Sequence, residues 1–352
     1  MGFERDHRGV VLTRVDGGRG GEVGRVYACL QQRPEWLDFL ARGLGVEPVV
    51  AEVNDAEGER LGYFYGAIKK VGPLRILGSP LPGWSTLYMG FALQPDVSVS
   101  MGALLRALER FAWGELRCVH LEICDRSMTR DALAQGGFAV QPGSHTGWEV
   151  DLTPTEDELW MGLKPACRRA VRKATKSGVT VREVVADEAF IAGYYAQMHE
   201  VFGRQGLAPT YGLKRIRALV DALGAKGRLM ALRVVGPDGD SIASGLFPHG
   251  DGVVYFWGGY SRQEALALRP NDILHWEAMV RARRIGCSRY DLAGQGGYKH
   301  KFGAYRIDVP AGRRSRIPLL ESARTVRERG FRMGQRIRGA LGRRSMPRSS
   351  DG

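Results

Sequence analysis

Apolar and polar positions alternate along this chain with two distinct spacings. Short apolar or alternating runs bounded by Gly, Pro, Asn and Asp predict strands over 49–53, 61–68, 74–77, 119–123 and 146–152. The same signal returns over 229–235, 242–248, 253–257 and 289–292. Polar stretches at 54–60, which holds Gly58, and at Pro237-Asp238-Gly239-Asp240 read as hairpin connections. Three-to-four spacing predicts helices over 34–42, 98–113, 128–135, 187–202 and 271–285. In the second of these Leu104, Leu105, Leu108 and Phe111 share one face, and the last has Asn271 as its expected cap and Gly286 as its stop. Thr153-Pro154-Thr155-Glu156 reads as a further helix start, with Thr153 capping, proline at the first helical position and glutamate at the third. It leads into 163–178, where Leu163, Cys167, Ala170, Val171 and Ala174 form an apolar stripe. Arg168, Arg169, Arg172, Lys173 and Lys176 flank that stripe, and Gly178 stops the helix.

The order of strand hairpin, helix and strand occurs twice. It predicts an internal duplication and an α/β architecture with a mixed sheet flanked by helices in each half. A length of 352 residues suits two cores better than one. The expected division is a flexible N-terminus over 1–20, one domain over 21–150, a second over 151–311 and an arginine-rich tail over 312–352, helical to about 341.

Composition changes this picture in three respects. No run of about 18 apolar residues exists, so no membrane-spanning helix is expected. The polar, glycine-rich start lacks the apolar stretch of a secretory signal, which predicts a cytosolic setting. Five cysteines without a CxxC pair and seven histidines without an HxxxH pair argue against a disulfide framework and a metal site, and for buried reduced thiols. Twelve arginines against three acids in 312–352 carry nine of the thirteen net positive charges. In that tail Leu319, Ala323, Val326, Met333, Ile337 and Ala340 fall broadly on one side, with arginines including Arg332 and Arg336 on the other. The pattern suits docking on the first domain, lying on anionic lipid at the inner face of the membrane, or contacting RNA phosphates.

The segments that carry chemistry lie between Asp151 and Gly303. After the strand Glu149-Val150-Asp151-Leu152 and an acidic helix start comes Arg168-Arg169-Ala170-Val171-Arg172-Lys173-Ala174, then Gly178-Val179. Phe202-Gly203-Arg204-Gln205-Gly206 follows, then Tyr255-Phe256-Trp257-Gly258-Gly259 and Pro270-Asn271 with Trp276. Tyr290-Asp291-Leu292-Ala293-Gly294 and Tyr298-Lys299-His300-Lys301-Phe302-Gly303 complete the series. In order and spacing it resembles the FemAB family of peptidoglycan aminoacyltransferases, whose members carry two domains of the acetyltransferase (GNAT) fold.

The resemblance implies two tandem GNAT-like domains with no tightly bound cofactor. It implies an acyl-group transferase that forms an amide, moving an amino acid from aminoacyl-tRNA onto the amine of a peptidoglycan precursor or related cell-envelope molecule. Lys299 matches the lysine of the family's "FK..FG" signature, which implies a catalytic role, either steadying the oxyanion or holding a phosphate. Arg204 matches the arginine that contacts precursor phosphates. Tyr255, Trp257, Asp291 and Phe302 are the other expected substrate-binding residues, with a core role weighed for Trp257. Arg168, Arg172, Lys173, Arg332 and Arg336 are the expected contacts to nucleic acid or membrane.

Two alternatives stand beside this reading: an acyl-CoA-dependent GNAT N-acetyltransferase, and a non-catalytic GNAT-like protein that binds RNA or membrane. Acetyl-CoA enzymes of this fold cradle the pyrophosphate in a Q/R-x-x-G-x-G/A loop that opens a helix. The corresponding stretches here, 261–271 and 91–100, contain no glycine.

Overall fold

The computed structural model describes residues 9–15, 26–141, 145–209, 211–294 and 296–317. The first half contains β1 (Val11–Arg14), α1 (Pro34–Leu44), β2 (Glu47–Asn54), β3 (Arg60–Val71), β4 (Leu74–Ser79), β5 (Gly90–Leu93), α2 (Met101–Trp113), β6 (His120–Cys124), α3 (Arg130–Gln135) and β7 (Ala139–Val140). The second continues with β8 (His145–Asp151), α4 (Glu156–Gly162), α5 (Pro165–Lys176), β9 (Thr180–Val184), α6 (Glu188–Arg204), α7 (Leu213–Gly224), β10 (Leu229–Val235), β11 (Ser241–Gly250), β12 (Val253–Tyr255) and β13 (Gly258–Ser261). It ends with α8 (Pro270–Arg284), β14 (Arg289–Asp291), β15 (Tyr305–Val309) and β16 (Ala311–Ser315).

Two mixed sheets result, in the orders β1-β2-β3-β4-β6-β16-β7 and β15-β8-β14-β12-β11-β10-β9. The duplication expected from the sequence is visible in their wiring. In each half a long strand, β3 or β11, pairs antiparallel with two successive pieces, β4 and β5 or β12 and β13. The first piece then pairs in parallel with the strand that follows the helix, β6 or β14. A parallel pair needs such a crossover helix, here α2 and α8.

The halves share strands and a core. β8 joins the second sheet, pairing antiparallel with β14 and β15, although it precedes the second half's helices. β16 returns to the first sheet between β6 and β7. Between the sheets, Trp36, Phe39 and Leu40 of α1 pack with Ile216, Leu219 and Leu223 of α7 in one core. Six side chains of this size, all at most 1 % exposed, stabilise the joint by about 1.5–3 kcal/mol each. Ion pairs Arg33–Asp251 and Arg228–Glu35 join the two halves at the rim of this core.

Several local expectations are corrected. Residues 11–14, expected within a flexible terminus, form an edge strand because Val10 and Leu12 bury their side chains on the first core. Residues 311–315, expected at the junction with the tail, are strand rather than helix; the rest of the tail, with Arg332 and Arg336, lies outside the described residues. The helix start at 153–156 sits two residues later. Thr155 is the cap of α4 and forms a reciprocal box with Glu158, whose carboxylate accepts from the Thr155 N–H at 2.8 Å. Thr153 is unavailable because its N–H and hydroxyl both donate to Asp151 Oδ1. Asn271 does not cap α8 either; it donates to Ser261 Oγ at 3.1 Å, and the helix begins at Pro270 after Arg269 in a left-handed conformation.

Candidate active site

A cleft of about 450 Å³ opens in the second half where the strand pair splits. β12 follows β14 as far as the Tyr255–Asp291 register, and the Phe256 N–H still reaches the Asp291 carbonyl at 2.8 Å. Beyond it β13 pairs only with β11, so the sheet gapes. The gap is lined by Gly259, Tyr260 and Ser261 of β13, by Asn271, Asp272 and Leu274 of α8, by Arg204 of α6, and by Tyr298, Lys301 and Phe302 of the turn after β14. In the first half the corresponding interruption is the loop 80–89, and its Leu81, Trp84, Tyr88 and Met89 are buried in the shared core.

The N-terminus of α8 faces this cleft, as a phosphate-binding helix end would. Its donors are largely spent. Pro270 has no N–H, the Arg269 N–H donates to the Leu266 carbonyl, and that of Asp272 turns back to the Arg269 carbonyl. Asp272 already supplies a carboxylate to the positive end of the helix, is 8 % exposed, and pairs with Lys301 at 2.6 Å. With Lys301 balanced by Asp272, Arg204 and Arg269 leave the rim cationic.

Behind the cleft floor runs a buried polar seam between the halves. Tyr88 donates to Asp291 Oδ2 at 3.3 Å, and Arg126 donates to the Tyr88 hydroxyl and grips Glu149 with both terminal nitrogens. Tyr305 donates to the same Glu149 at 3.1 Å. Tyr255, 2 % exposed, buries its hydroxyl beside the Tyr88 phenol, its ring 6.3 Å from that of Tyr88. Burial pushes the Asp291 carboxyl up to about 6, against the hydrogen bond it accepts from the Ala293 N–H. Burial also lowers the Lys299 ammonium to about 8, which the Asp291 charge partly offsets. A second polar chain, of three phenols, joins Tyr194 to Tyr211 at 3.0 Å and Tyr211 to the cleft residue Tyr260 at 3.1 Å.

The residues singled out from sequence fall into three groups. Arg204 and Phe302 meet in the cleft, and Arg204 also donates to Gln263 at 3.2 Å. Tyr255, Asp291 and Lys299 meet in the seam; Lys299 is 6 % exposed and donates to the carbonyls of Ala293 and Gly294. Trp257 stands apart from both, packed 4.4 Å from Tyr211 and edge-on to Phe39, so it serves the joint between the halves. On α5, Arg168 is occupied by the carbonyls of Met161 and Leu163, whereas Arg172 and Lys173 are exposed. Sequence reading missed Tyr88, Arg126 and Tyr260, and it read Glu149 only as part of a strand. Glu149 carried the one available signal, a carboxylate at an inward strand position between Trp148 and Val150.

Comparison with known proteins agrees with this geometry. The family model described as acetyltransferase (GNAT) domain matches residues 164–302. No curated protein matches the chain. Among solved structures, FemX aligns at a TM-score of 0.65 with 16 % identity, over 80 % of this chain and 91 % of FemX. A tandem GNAT protein from the clavulanic acid biosynthesis pathway aligns at 0.52 with 12 % identity, over 88 % of this chain and 99 % of that one. A conserved protein of unknown function from Bacteroides thetaiotaomicron aligns at 0.54 with 13 % identity, over 82 % and 91 %. At these identities the structural likeness concerns the fold. No helix among the described residues is long and apolar enough to cross a membrane. With the match over 164–302, the chain carries an acetyltransferase (GNAT) domain and is an acyltransferase.

Proposed function

We propose that this acyltransferase moves an amino acid from aminoacyl-tRNA to the amine of a peptidoglycan precursor or related cell-envelope molecule. The observation that carries this choice of donor is the first turn of α8. A CoA pyrophosphate needs several free N–H groups at that helix end, and here proline, two amides already bonded to carbonyls and the Asp272 carboxylate take their place. The cationic rim of Arg204 and Arg269 still suits phosphates that approach from outside.

In this reading the neutral amine attacks the ester carbonyl, a C–N bond forms, and the C–O bond to the ribose breaks. The proton lost by the amine ends on the released ribose hydroxyl. No protein nucleophile is required; positioning and stabilisation of the oxyanion suffice. Lys299, buried beside the cleft rather than lining it, has three donors, of which two are used on Ala293 and Gly294; in this reading the third serves a substrate oxygen.

A second reading, acyl-CoA-dependent N-acetylation, is favoured by the match of residues 164–302 to the acetyltransferase (GNAT) domain. The deciding experiment offers charged tRNAs and acyl-CoAs, separately, with nucleotide-linked muropeptide and reads intact mass. A tRNA-dependent gain of one amino acid is expected. A gain with acyl-CoA alone would transfer the protein to the second reading.

A further inference from the structure

We propose that the outer face of α5 is a docking track for a polyribonucleotide, leading its 3′ end into the cleft; this rests on the aminoacyl-tRNA reading. From Lys164 to Lys176 the chain holds six basic residues and no acid. Arg168 is used internally, but Lys164, Arg169, Arg172, Lys173 and Lys176 are all exposed, and among the described residues none pairs with a carboxylate. Four unneutralised cations on one short helix, with Lys164 just before it, repel one another, an arrangement that a polyanion relieves.

The track begins at the cleft. The Lys164 N–H donates to the carbonyl of Lys301, the residue that lines the cleft and holds Asp272. From there α5 runs for about 18 Å at 1.5 Å per residue, long enough to lie along several nucleotides of a strand. Arg169, Arg172, Lys173 and Lys176 line one side of α5 together. Beside them is a groove of about 380 Å³ between Trp160, Val171, Arg172, Thr175, Lys176, Trp276 and Glu277. Arg172 stacks over the Trp160 ring at 5.3 Å, Trp160 meets Trp276 edge-on at 5.0 Å, and Glu277 is held by Arg281. An aromatic floor under arginine accepts a base or ribose as well as a phosphate.

An anionic membrane fits less well. A helix that lies on lipid inserts its apolar side, and α5 has none to give. Cys167, Val171 and Ala174 are at most 4 % exposed, packed into the second core.

The test uses the full chain and the variant Arg169→Gln/Arg172→Gln/Lys173→Gln/Lys176→Gln, which touches only solvent-exposed side chains. Binding of uncharged tRNA is followed by fluorescence anisotropy from 50 to 300 mM salt. The dependence of log K on log salt should be shallower in the variant by about three to four, with affinity at 100 mM salt at least tenfold weaker. Equal slopes overturn the track, even if the wild type binds tRNA through other residues. So does a wild type that binds phosphatidylglycerol vesicles through these four residues and tRNA not at all. Failure of the donor reading is separately visible: a wild type that transfers nothing from aminoacyl-tRNA removes that reading, while the slopes still decide the track.

Discussion

Replacing Asp291 by asparagine should make the folded protein more stable at neutral pH, by an amount that depends on pH in a calculable way. The carboxyl is 1 % exposed and held at about 6, against an ordinary value of 3.8. Below 3.8 folded and unfolded chains are both protonated there. Between 3.8 and about 6 only the unfolded chain releases its proton, so stability falls as pH rises, and above about 6 the loss is complete. Its full size is about 3 kcal/mol, with about 2 kcal/mol of it accruing between pH 4.5 and 7.5. Asparagine keeps an oxygen for the Ala293 N–H, which Asp291 Oδ1 binds at 2.8 Å, and a polar atom facing Tyr88. It removes the ionisation, and with it the support that charge gives the neighbouring Lys299 ammonium. Urea titrations of wild type and Asp291→Asn at pH 4.5 and 7.5 give the difference directly. The variant should gain about 2 kcal/mol on the wild type between these two pH values, whatever the constant offset from altered hydrogen bonds. An unchanged difference, or one that shrinks as pH rises, would refute the assignment of the cost to a buried carboxylate.

Three further outcomes follow from the same geometry. Lys299→Met should leave the protein folded and lower turnover by about 10²–10³-fold; since the lysine is held near 8, wild-type turnover that needs its ammonium should fall as pH rises through about 8, and a near-normal mutant rate would exclude the role. Gly258→Ala would place a methyl 2.7 Å from the Tyr211 hydroxyl and closer still to that of Tyr194, so denaturant titration should show a loss of about 1–3 kcal/mol. Thr155→Ala should cost about 1 kcal/mol and Thr153→Ala less, a ranking that the reverse order in the same titration would contradict.

Much of the architecture was legible because it is periodic. Leu104, Leu105, Leu108 and Phe111 bury together on α2 as their spacing predicts, and the hairpin β10–β11 turns at the predicted Pro-Asp-Gly-Asp stretch. Helix α7 obeys the same rule through Ile216, Leu219 and Leu223, but its basic neighbours Lys214, Arg215 and Arg217 mask the pattern in the sequence. β9 gave a weak signal because it is an edge strand with most of its residues exposed or half-exposed. The caps failed for a different reason. Two threonines compete for one helix start, and only the position of Asp151 decides between them.

The sequence by itself determined the two-fold repeat of elements, the mixed α/β class, and the apolar stripe and basic face of α5. These rest on interactions between residues a few positions apart, or on the burial of one face of one element, and both leave a local pattern. Only the tertiary structure decided that β8 joins the second sheet while β16 returns to the first, that the cleft opens beside β13, and that α8 meets it with its donors largely used. The same holds for the seam, where Tyr88 reaches Asp291 across 203 positions of chain. Such contacts pair groups through the packing of two cores, and no spacing along the chain records which distant partner a buried polar group will find.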